Sequence, residues 1–229
     1  MAFSLPSAEN VSPFSALIEQ AIELASQWHD GTYRKSRWRE PAFDVPAGTV
    51  LRVPVMAHVT TVAMMVQRAG WDDVTVAAAF LHDILEDPNG YGRYMGYDEL
   101  KGLMGKEVAD RVQEVTEQKF DANGRHNPWR VRKERYLEGL SHHSPGAVAI
   151  SLADKTHNLY SMNACLGRSI DIFTTSSDVK GLSAGPADQQ WFHRSILDLS
   201  HRFDDPRLIP LRNQLEHEII RFEEQLGLR

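Results

Sequence analysis

Apolar residues recur three and four positions apart along most of this chain, the spacing that lines them up on one face of an α-helix. From residue 14 the series Leu17, Ile18, Ala21, Ile22, Leu24, Ala25 and Trp28 predicts a first helix that ends near Asp30-Gly31. Val55, Val59, Val62, Ala63 and Val66 predict a second over 55–69, closed by Gly70. Residues 98–103 and 106–116 read as a short and a longer helix split by Gly105, and 129–140 as a strongly basic helix. Pro145 opens a mostly buried helix through Ala149, Leu152, Ala153, Leu159 and Met162, and 191–203 and 211–226 close the chain as two amphipathic helices. With no strand ladder, internal repeat or long heptad series, the pattern is all-α.

One segment breaks the amphipathic pattern. Residues 74–87, VTVAAAFLHDILED, read as a helix with almost no polar face until its end, so it is predicted to be buried. Its last turn and a half carries His82, Asp83, Glu86 and Asp87 before Pro88 stops it. Three carboxylates at a helix C-terminus oppose the macrodipole, and burying them unpaired is costly. On a helix, His82 and Glu86 are four apart and Asp83 and Glu86 three apart, so all can point to one side. A divalent cation is the obvious compensation. Asp154, inside a second buried helix and four residues before Asn158, is hard to explain separately; with His82 and Asp83 it suggests a metal site. Taken alone, His58 beside the second apolar stripe reads as a core residue.

Two basic clusters change the picture further. Residues 32–40 hold Arg34, Lys35, Arg37 and Arg39 with Tyr33 and Trp38 between them. They are either a solvated face or a place where guanidinium groups and rings hold a base and its phosphates. In 129–140, Arg130, Lys133 and Arg135 are surface charge or the lining of an anion site. The net charge of −6 argues against non-specific nucleic-acid binding.

At 229 residues the chain suits one domain. Residues 1–13 form a loose lead-in, and 14–229 form the domain, with a loop insertion near 36–54 and a mobile loop, a possible lid, near 167–188. His126 sits between turn signals and reads as surface. No run approaches a membrane span, and the N-terminus has neither the basic start nor the apolar run of a signal peptide. Cys165 is the only cysteine, so no disulfide framework or cysteine-rich zinc site is expected. A cytoplasmic location is the expectation.

Together these elements resemble the HD-domain metal-dependent phosphohydrolases. More narrowly they resemble the hydrolase domain of RelA/SpoT-type proteins and the stand-alone small alarmone hydrolases. The segments that carry the resemblance are WHDGTYRK (28–35), AHVTTVAMMVQRAG (57–70), VAAAFLHDILED (76–87), GKEVADRVQEVTE (105–117), KERYLEGL (133–140) and HSPGAVAISLADKTHNL (143–159). The pairing of LHDILED with LADKTHNL is the specific part.

The resemblance implies an HD-domain helical bundle of roughly ten helices. It implies that His58, His82, Asp83 and Asp154 hold one divalent ion, usually Mn²⁺, and that Glu86 and Asp87 position and deprotonate the attacking water. It places Asn158 near metal and sugar, Arg34 and Lys35 on the base or phosphates, and Lys133, Lys155 and Arg194 on phosphate oxygens. The implied substrate is a nucleotide, guanosine tetra- or pentaphosphate, losing its 3′-pyrophosphate. Departures fall in the longer 36–57 segment before His58, in Val59 after it, and in 88–97, which begins with Pro88 and is rich in Gly and Tyr. They keep open the same chemistry on adenosine alarmones or on the 2′-phosphate of NADPH, and a non-catalytic nucleotide sensor. Oligomeric state, including a homo-oligomer, and base preference are left open.

Overall fold

The computed structural model describes residues 12–34, 43–46, 49, 51–175 and 181–228. Lys35, most of the lead-in and parts of the 36–54 and 167–188 loops lie outside the described residues. Among the described residues there are nine α-helices and no strands, only two isolated bridges, Tyr33 with Pro54 and Phe120 with His126. The helices are α1 (Ala16–Trp28), α2 (Val55–Arg68), α3 (Asp73–Phe80), α4 (Tyr97–Met104), α5 (Lys106–Val115), α6 (Trp129–Leu140), α7 (Pro145–Leu166), α8 (Pro186–Ser200) and α9 (Ile209–Leu226), with a short 3₁₀ turn at Pro206–Leu208 before α9. No described helix is long and apolar enough to cross a membrane.

Local chemistry sets the starts. Ser15 accepts a hydrogen bond from the Ile18 N–H, Asp72 from Thr75 and Ser144 from Ala147, each satisfying an otherwise orphaned donor of a first turn. Pro145 occupies the first turn of α7, where its missing N–H costs nothing. Pro186 does the same for α8, which begins five residues before the apolar pattern predicts.

α3 is the centre of the molecule. Thr75 through Phe80 are all buried, and α1, α2, α5 and α7 pack around them. α7 in turn lies against α2, α5, α8 and α9. Leu81, Ile84, Leu152 and Leu159 are among the fully buried side chains, each contributing about 1.5–3 kcal/mol of burial.

The segment expected as one helix over 74–87 is instead a helix that ends at Phe80, followed by successive turns. Leu81 N–H donates to Ala78 O, Ile84 to Leu81 O, and Glu86 and Asp87 both to Asp83 O. The physical reason is the charge. A continued helix would aim its terminal carbonyls at Asp83, Glu86 and Asp87, whereas the turns let His82 take up the Ala79 carbonyl through Nδ1 at 2.8 Å.

Candidate metal centre

The turn after α3 delivers His82 and Asp83 to a point between α2 and α7. His58, from α2, places Nε2 at 3.1 Å from Asp154 Oδ1 and 3.8 Å from Asp83 Oδ2. His82 Nε2 lies 3.3 Å from Asp83 Oδ1 and 3.7 Å from Asp154 Oδ1. One ligand atom each from His58, His82 and Asp154 falls within 4.8 Å of the others, and all three residues are buried.

The chemistry of these donors fits a divalent cation. A carbonyl can only accept, so His82 Nδ1 donates to Ala79, leaving Nε2 towards the two carboxylates. That Nε2 is buried and has no hydrogen-bond partner. Burial opposes a charged imidazole, yet Asp83 and Asp154 outweigh it and raise His82 to about 9. Burial dominates at His58 and pushes it down, against the pull of Asp154. The two carboxylates thus call for positive charge at this point, which a proton or a cation can meet.

Asp154 is held from several sides. Burial would raise its pKa, but Lys155 and the two histidines hold it well below the carboxylate range. Lys155 pairs with its Oδ2, and Asn158 Nδ2 donates to Oδ1 at 2.6 Å. Asn158 Oδ1 accepts from Arg34 at 2.9 Å, so Arg34 is tied to the centre through one amide.

Glu86 and Asp87 sit on the other side. Burial, reinforced by Asp83, raises Glu86 to about 7. The backbone N–H of Glu117 donates to Glu86 Oε1 at 2.8 Å, and Lys119 bonds Asp87 Oδ1 while its ammonium stands 3.7 Å from Glu86 Oε2. Trp28 Nε1 donates to the Asp87 carbonyl at 3.2 Å, fastening the turn to α1. The Glu117 carboxylate bonds Arg132 and Lys133, both at 2.6 Å, and these cations keep it charged despite burial.

Two connected hollows meet here. The smaller, about 210 Å³, is lined by the histidines, Asp83, Glu86 and Asp154; the larger, about 520 Å³, opens beside it towards Trp129, Phe192 and His193. Arg34, Asp83, Asp87, Lys133, Lys155 and Asn158 line both. Arg130 and Arg135 line neither hollow. Of the described residues to which the resemblance gives a site role, the structure brings together all except Arg194. That guanidinium is doubly bonded to Glu223 at 2.8 and 2.6 Å, and Arg194 is not among the lining residues of either hollow.

Four residues of this region were not singled out. Glu117 and Lys119 follow the end of α5, where an extended backbone puts residues two apart on one side, a signal available in the sequence. His29 is buried beside Asp83 and Asp87 with Nε2 unpartnered, and burial lowers its pKa. His193, buried on α8, donates from Nδ1 to Gln189 O at 2.7 Å.

The HD domain family matches residues 46–178. The mouse and human guanosine-3′,5′-bis(diphosphate) 3′-pyrophosphohydrolases MESH1 are each 33% identical over 153 residues, covering 66% of this chain and 72% of theirs. The solved structure of a metazoan ortholog of SpoT superposes with a TM-score of 0.61 at 21% identity, covering 96% of this chain and all of that one. The buried His-Asp centre, the all-α fold and these likenesses agree, and the chain belongs to the HD domain family, among relatives of the MESH1 type.

Proposed function

We propose that this protein is a Mn²⁺-dependent hydrolase that removes the 3′-pyrophosphate from guanosine tetra- or pentaphosphate, giving GDP or GTP and pyrophosphate. The observation that carries the reading is the juxtaposition in joined hollows of buried His58, His82 and Asp154 with a half-buried Asp83, an acidic pair and a cationic wall. The named activity of the mouse and human relatives supports the guanosine substrate.

His58, His82, Asp83 and Asp154 would hold one cation; imidazole and carboxylate donors are compatible with Mn²⁺, the ion the resemblance implies, without selecting it. When bound, such an ion acidifies water and neutralises charge on phosphoryl oxygens. Glu86, raised to about 7, is poised to take a proton from water near neutral pH. The Glu117 N–H and the Lys119 ammonium fix how Glu86 and Asp87 face the hollow. Lys133 and Lys155 meet phosphate oxygens, and Arg34 and Asn158 meet the nucleoside side. Water attacks the phosphorus joined to the ribose 3′-oxygen; that P–O bond breaks, the 3′-oxygen takes a proton, and pyrophosphate leaves. Lys35 would join Arg34 on the base or phosphates.

A turnover assay with Mn²⁺ on guanosine tetraphosphate, its adenosine counterpart and NADPH tests this directly. Pyrophosphate from the guanosine compound is expected, and Glu86→Gln and Asp87→Asn should each lose about 10²–10⁴-fold in rate while retaining metal. Full activity in both variants refutes the mechanism. Turnover of only the adenosine compound or NADPH refutes the substrate and keeps the chemistry. Tight nucleotide binding without turnover replaces the enzyme with a sensor.

A further inference from the structure

We infer that His157 is a positioning residue for the metal centre, accepting a hydrogen bond from the far nitrogen of His58 and thereby setting which nitrogen of His58 is offered to the cation. The inference rests on the metal reading above and adds a residue to it from outside the donor set.

The geometry is specific. His58 Nδ1 and His157 Nδ1 are 2.7 Å apart, a hydrogen bond between two imidazoles with their centroids at 4.8 Å. One proton lies in that bond, so one ring donates and the other accepts. The opposite nitrogen of His58, Nε2, is the atom beside Asp154, Asp83 and the His82 ring. If Nε2 gives its lone pair to a cation, neutral His58 carries its proton on Nδ1. His58 is then the donor, and His157 must accept at Nδ1 and keep its own proton on Nε2.

Metal-bound imidazoles commonly donate their second nitrogen to a carboxylate, carbonyl or water. Here another imidazole takes that place, and it is itself held in orientation. His157 is half-buried on α7, three residues after Asp154, and its ring stacks on Tyr160 with centroids 6.4 Å apart and planes 28° from parallel. One face of α7 therefore supplies both a carboxylate for the cation and the acceptor that orients an imidazole ligand from α2. His157 also lines a separate hollow with Met65, Arg68 and Leu211.

The test is Mn²⁺ affinity, measured by calorimetry on the full chain without nucleotide. His157→Phe keeps a ring and removes the acceptor, and Mn²⁺ binding should weaken about 10–100-fold. His157→Asn, whose side-chain oxygen can reach the position of Nδ1, should recover most of that loss. Phe within twofold of the parent overturns the inference, and so does Asn as weak as Phe, since packing would then be the cause. A parent that binds no Mn²⁺ overturns the metal reading and this inference with it. Should the Phe variant fail to fold, nitrogen-15 spectra of the parent histidines with diamagnetic Zn²⁺ decide. His157 protonated on Nε2 is expected; a proton on Nδ1 refutes the assignment.

Discussion

Lowering the pH should destabilise this protein through His193. The ring is 3% exposed, and burial, helped by Lys155 and Lys133, pushes its pKa from 6.5 to about 4 despite the Gln189 carbonyl. The folded protein therefore refuses a proton that the unfolded chain accepts at about 6.5. Above 6.5 both states leave the ring neutral and its contribution is complete. As the pH falls from 6.5 towards 4 the unfolded state gains protons and stability is lost, and below about 4 the loss stops growing. At about 1.4 kcal/mol per pH unit, the span from 6.5 to 5 gives a loss of about 2 kcal/mol, and the full span about 3 kcal/mol. Urea unfolding at pH 7.5 and pH 5, in chelator, measures it. Other groups titrate in the same range, so the informative quantity is the difference between the parent and His193→Gln. The variant should lose about 2 kcal/mol less over that interval. Equal losses in the two proteins would refute the assignment of a buried neutral imidazole.

Other outcomes follow from the same structure. Glu117→Leu leaves Arg132 and Lys133 without their carboxylate and should cost about 3–5 kcal/mol in denaturant unfolding, whereas an effect below 1 kcal/mol would mean that water serves both cations. Saturating Mn²⁺ should raise the melting temperature, with about 2.7 kcal/mol expected at a hundred times the dissociation constant. Asp154→Asn should abolish that rise, and an unchanged rise would place the ion elsewhere. Gly90→Ala would set a methyl group 2.6 Å from the Asp30 carbonyl oxygen, so the 88–96 loop must shift away from the end of α1. A loss of about 1–3 kcal/mol is expected in the same unfolding assay, and a neutral substitution would show that the two segments do not touch in solution.

The helices were legible because their apolar spacing and their capping residues agree. α6 begins and ends where the pattern predicts, and Ser144 with Pro145 marks the start of α7 without ambiguity. The acidic knot was legible as a conflict, too many carboxylates in too apolar a setting. Its backbone was not, because the periodicity of 74–87 continues past Phe80 while the chain turns, and the competition between a helix end and three carboxylates decides the geometry. Arg194 shows the limit of residue type as a guide. The same guanidinium suits a phosphate or a carboxylate, and only packing against α9 shows that Glu223 has taken it. His193, His157 and His29 gave no periodic signal, since their significance depends on what lies across a gap between helices.

The two halves of Glu117 do different work. Its side chain steadies Lys133 on the cationic wall, and its main-chain N–H steadies Glu86 on the acidic side. Almost any amino acid at this position would retain the second tether, because every residue but proline brings an N–H. Sequence change at residue 117 can thus alter the Lys133 contact while the main-chain bond to Glu86 stays. On the proposed function, random mutagenesis should find 117 permissive for the step assigned to Glu86 and restrictive for the anion contact assigned to Lys133, with proline as the exception that fails at both.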